Sequence, residues 1–78
     1  MPVQAEDVGV LVERIKPILA GHDPELQGAV LADLLAMWLV GHPPIVRESV
    51  LRIHIQFARD LVAPNEKLMF GDKGYPSA

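Results

Sequence analysis

The sequence predicts an all-α fold: a three-helix bundle in up-down-up order with a short C-terminal extension, dimerising through its central helix. Three observations carry this expectation. Apolar residues in the first and third segments recur at the three-and-four spacing of amphipathic helices. The middle segment, Pro24 to Val40, has one polar side chain after Gly28, namely Asp33. Two similar joints, Gly21-His22-Asp23-Pro24 and Gly41-His42-Pro43-Pro44, separate the segments.

The first helix is predicted from about Ala5 to Ala20. Val8, Leu11, Val12, Ile15, Ile18 and Leu19 form one narrow apolar stripe, while Glu6, Asp7, Glu13 and Arg14 lie off it. Pro17 removes a donor to the Glu13 carbonyl, so a bend on the solvent side is expected there, or a break near Lys16.

Each joint reads as a glycine stop, a bridging residue, an extended residue before proline, and a proline opening the next helix. Asp23 is suited to cap the central helix, and Glu25 to its positive end. Leu26, Val30, Leu31, Leu34, Leu35, Met37 and Trp38 then cover a broad arc. Gly28, Ala32 and Ala36 form a row of small residues that lets another backbone come close. The apolar run is shorter than the roughly 20 residues a membrane span requires. A buried helix of a non-membrane protein is therefore expected.

The third helix is predicted from Pro44 to about Ala63, ended by Pro64. Val46, Val50, Ile53, Phe57 and Leu61 occupy one side of its apolar arc, and Leu51, Ile55, Ala58 and Val62 the other. An arc with two sub-faces suits a helix that meets its own hairpin partner and a second chain. Leu68, Met69 and Phe70 are expected to form a lid on the open end. Residues 1–70 would make a single helical domain and 71–78 a flexible tail.

At 78 residues, half of them hydrophobic and none cysteine, the chain cannot rely on disulfides to hold a small core. Mean hydropathy is +0.23. Oligomerisation is the remaining usual route to stability. The expected interface comprises Gly28, Ala32, Leu35 and Ala36 of the central helix with Leu51 and Ile55 of the third. The first residues lack a basic, then apolar leader pattern, so a cytoplasmic location is expected.

The net charge of −3, with acids and bases interspersed, gives no general attraction to nucleic acid or anionic membrane. No catalytic residue, cofactor or metal site is predicted. Threonine and cysteine are absent, and the only serines are Ser49 and Ser77. His22 and His42 sit at opposite ends of the central helix, and His54 is expected to be remote from both.

Three polar residues fall on apolar surface and are expected to be buried or interfacial: Asp33, Arg47 and His54. An antiparallel hairpin would set Asp33 opposite Arg52 and within a turn of His54, and Trp38 level with Arg47. These features predict a self-associating protein–protein interaction or accessory module, not an enzyme, whose partners are its own copy and an unidentified protein. One alternative is a helix-turn-helix regulator reading DNA with Arg52, Gln56 and Arg59 of the third helix. Another is a ligand-binding protein with a pocket at Asp33, Trp38 and His54.

Overall fold

The computed structural model describes residues 2–76. Three helices are present: α1, Ala5–Leu19; α2, Pro24–Val40; and α3, Pro44–Phe70. Among the described residues there is no β-strand. The fold is all-α, as the periodicity predicts. The chain divides into two compact units, Met1–Leu35 and Ala36–Ala78, with the division inside α2.

In the first unit, α1 starts after Gln4, whose carbonyl accepts the N–H groups of Asp7 and Val8 at 3.1 and 3.2 Å. Glu6 and Asp7 in the first turn and Lys16 in the last complement the helix dipole. Lys16 also pairs with Glu13 at 3.1 Å. The helix continues through Pro17 to Leu19 instead of breaking at Lys16. So close to the end, the ring disturbs little: only one short stretch follows, and the Glu13 carbonyl it deprives belongs to an exposed residue.

Gly21 then takes a left-handed conformation with φ of 82°, as the stop predicts. Asp23 Oδ1 accepts the Glu25 N–H at 2.8 Å, the expected cap at the start of α2. Gln27 reaches back from the first turns of α2 and donates its Nε2 to the Leu19 carbonyl at 2.7 Å. The same carbonyl also accepts the His22 N–H at 3.3 Å, so the end of α1 is held by two donors.

The second joint corrects the expectation of a repeated device. Gly41 is not among the glycines with positive φ, which are Gly21, Gly71 and Gly74. The end of α2 tightens instead through bonds three residues apart, Gly41 N–H to Trp38 O at 3.2 Å and His42 N–H to Leu39 O at 2.9 Å. Glycine is still favoured there, because a Cβ would lie 3.3 Å from the Trp38 carbonyl oxygen.

α3 does not end at Pro64; it runs through it to Phe70. Proline withholds one donor from the Asp60 carbonyl. Asn65 Nδ2 donates to Leu61 O at 2.8 Å and ties the turn before the proline to the turn after it, while the deprived carbonyl belongs to an exposed residue, Asp60. Leu68, Met69 and Phe70 are consequently the last residues of the helix, 82%, 71% and 43% exposed, and not a lid.

Gly71, at φ of 78°, closes the helix with its N–H on Lys67 O at 2.8 Å. Residues 71–76 return along the last turns. Tyr75 N–H donates to Glu66 Oε2 at 3.1 Å, and its ring meets Phe70 edge-on at 5.3 Å. Asp72 pairs with Lys67 at 3.5 Å. The remainder of the expected flexible tail, 77–78, lies outside the described residues, Ser77 included.

No described residue is buried within the chain. Half-buried side chains are few: Leu19, Gln27 and Leu35 in the first unit, and Leu39, His42, Arg47, Val50, Leu51 and His54 in the second. The accessible surface is 7134 Å².

Candidate interaction surfaces

The best-defined polar constellation lies in the second unit, where the last turns of α2 meet α3. Trp38 receives two imidazoles edge-on, His42 with centroids 4.6 Å apart and His54 also at 4.6 Å. His54 continues the contact to Phe57 at 5.1 Å. Edge-to-face pairs of this kind place a positive ring edge against a negative face.

Both histidines are oriented by the helix that bears them. His42 Nδ1 lies 3.0 Å from Trp38 O, and His54 Nδ1 lies 2.8 Å from Val50 O. A carbonyl oxygen only accepts, so each Nδ1 carries a proton and donates it. This corrects the expectation that His54 is remote from His42: one indole touches both rings. Among the described residues, no group of three or more His, Cys, Asp or Glu could hold a metal ion.

Arg47 was expected level with Trp38. Its fork is instead taken up by the joint, with Nε donating to His42 O at 3.0 Å and Nη2 to Val40 O at 3.1 Å. Trp38 packs near His54, about 10 Å further along α3 than Arg47 at 1.5 Å per residue. The helices of this unit therefore do not follow the register of residues equidistant from the turn.

Gln27 and Arg47 were missed as a pair. Each stands at the same distance beyond the proline that opens its helix, after Pro24 and Pro44, and each returns a side-chain donor to the preceding helix end. Their signal was present in the sequence: a long polar donor three residues after the opening proline of both helices. The clasp of Glu66 on Tyr75 had no comparable signal.

The remaining expected residues are exposed or half-buried. Gly28, Ala32 and Ala36 are exposed, and nothing lies within 4 Å of where a Cβ on Gly28 would stand. Ile55 is 42% exposed and Leu51 half-buried. Arg47 and His54 are half-buried, whereas Asp33 is exposed in the chain alone and within its unit enters no hydrogen bond or ion pair. On the polar face of α3, Gln56 Nε2 is taken by Asp60 Oδ1 at 2.8 Å, which sets an acid beside the residues a DNA reader would use.

Apolar hollows occur in both units. One is lined by Leu61, Val62, Met69, Phe70 and Tyr75, the other by Ile18, Leu19, Leu26 and Val30. No match is found to any family model, curated protein or solved structure. The functional argument accordingly rests on what these surfaces can do. In the described residues, no helix is long and apolar enough to cross a membrane. Uncovered apolar helix faces in water mark interaction sites, ligand grooves or aggregation-prone surface.

Proposed function

We infer that the protein is a self-associating helical interaction module. Two copies join through α2 and the flank of α3 carrying Leu51 and Ile55, and three helices in up-down-up order form the bundle of each copy. The dimer then presents its remaining faces to a protein partner in the cytoplasm.

One observation carries the reading: the chain covers too little of itself. A compact protein of this mass exposes about 4,700 Å², and even two separate compact bodies of half the mass would expose about 5,600 Å² together. The chain exposes 7134 Å² and buries no described residue. The excess is roughly 1,500 to 2,500 Å² per chain, or about 3,000 to 5,000 Å² for two copies, which is the range of obligate dimer interfaces.

The row Gly28, Ala32 and Ala36 supports α2 as the seam, because small side chains allow close approach of a symmetric copy. Sedimentation of the purified protein tests the reading, with a dimer expected at micromolar concentration. A monomer at high concentration overturns it. Ala32→Leu is expected to weaken the dimer by overpacking; an unchanged dimer would move the seam off the small row.

A further inference from the structure

We propose that two copies meet through α3 packed antiparallel on α3, along a strip running from Leu51 to Met69. This arrangement rests on the self-association argued above and names the element of the second copy that covers the flank of Leu51 and Ile55.

Leu51, Ile55, Ala58, Val62, Asn65 and Met69 follow one another at intervals of four, three, four, three and four residues. That alternation is the heptad spacing of a seam between two helices. At about 100° per residue they fall within about 80° around α3, in a strip about 27 Å long at 1.5 Å per residue. Leu51 is half-buried and the others are exposed, Val62 and Met69 by 63% and 71%. Asn65, the one polar member, has its Nδ2 already on Leu61 O and so enters the seam with that donor satisfied. The hollow beneath Phe70 and Tyr75 is lined by Ala58, Val62, Asn65 and Met69 as well. It therefore continues the flank that carries Leu51 and Ile55.

The two borders of the strip differ. On one side stand Arg52, Arg59 and Glu66, seven residues apart, and on the other, at the same interval, His54, Leu61 and Leu68. Leu61 and Leu68 are 56% and 82% exposed. In a two-fold antiparallel pair of helices each border meets the same border of the other copy, whereas in a parallel pair it meets the opposite one. Parallel packing would set Arg59 against His54 and Glu66 against Leu61. Antiparallel packing brings Leu61 to its own counterpart and keeps the charged side chains together.

One register opposes every residue of the strip to another. In it, residues equidistant from Asp60 lie level: Leu51 with Met69, Ile55 with Asn65, and Ala58 with Val62. Glu66 then stands level with His54 of the second copy, between that copy's Arg52 and Arg59, which are opposite to it in charge. The surface excess of the chain is larger than the roughly 800 Å² per partner of a standard interface. A second copy is the occupant because the strip and its borders match their own reverse.

Disulfide trapping tests the seam. The chain contains no cysteine, so an introduced thiol is alone in its chain and any disulfide it forms joins two copies. Leu51→Cys and Met69→Cys, each oxidised by itself, are expected to stay unlinked. Like positions lie about 27 Å apart in the antiparallel pair, and a disulfide needs Cα atoms within about 7 Å. Mixed in equal amounts, the two variants should give a dimer bridged between residues 51 and 69 as the main product on a non-reducing gel. Ala58→Cys mixed with Val62→Cys, which alters less volume, should bridge as well. Val62→Glu introduces a carboxylate at an exposed position inside the strip. It should weaken association about tenfold or more in sedimentation, with helix content kept by circular dichroism.

Self-linking of Leu51→Cys or of Met69→Cys overturns the antiparallel arrangement. Absence of a mixed bridge at both pairs overturns the α3 seam, as does wild-type association of Val62→Glu. A monomeric wild type removes the self-association reading itself, whereas a dimeric wild type without these bridges removes this contact only.

Discussion

Arg47 shows how one side chain can replace a backbone device. The α2 end lacks a left-handed glycine, and two carbonyls there accept from a single guanidinium. Arg47→Ala should therefore destabilise the fold by about 1–3 kcal/mol, measured by urea denaturation, because bonds to a charged donor are lost and the carbonyls are left open. Arg47→Lys should recover little, since an ammonium cannot reproduce the planar fork. Gly9 is the opposite case: it lies inside α1 with nothing within 4 Å of a Cβ. Gly9→Ala should stabilise by about 0.5–1 kcal/mol without changing association, because alanine restricts the unfolded chain and favours helix.

At this scale the sequence was informative where a residue acts on its immediate neighbours. Asp23 as a cap and Gly21 as a left-handed stop follow from local chemistry, and both are observed. Trp38 was misassigned because its partner was chosen by distance from the turn, which holds only for antiparallel helices in even register. Gly41 was misread because the side chains able to close a helix end come from beyond the joint.

The helix boundaries show where local rules lose to context. Pro64 was expected to end α3, yet the helix passes through it with Asn65 bridging back to Leu61. The loss of one donor is tolerable because the starved carbonyl belongs to an exposed residue, Asp60, where water can donate to it. Pro64→Ala restores the N–H to Asp60 and should raise stability by up to about 3 kcal/mol, with greater helicity by circular dichroism. If stability falls instead, the proline ring is making a contact that outweighs the regained bond. The two ends of α3 then differ in kind: a fixed joint at Arg47 and a glycine-closed end at Gly71.

Across the molecule, the number, order and approximate extent of the helices were legible, because apolar periodicity and proline placement are properties of a single chain. The interface residues were nominated on the same basis, from the row of small residues on α2 and the second apolar sub-face of α3. How helices meet depends on side chains distant in sequence, which no periodicity records. Thermal unfolding followed over a hundredfold range of protein concentration should show a midpoint that rises with concentration, as expected when folding and association are coupled. A constant midpoint would mean that the chain is stable alone despite its open faces.

The edge-on packing of two imidazoles on Trp38 has a practical corollary. Since the chain contains one tryptophan, its tryptophan emission arises wholly at the meeting of α2 and α3. That indole is 43% exposed, so anything that settles over it should shift the spectrum to shorter wavelength. The protein thus carries its own unlabelled reporter at this end of α2, able to follow the arrival of a neighbour as it is titrated.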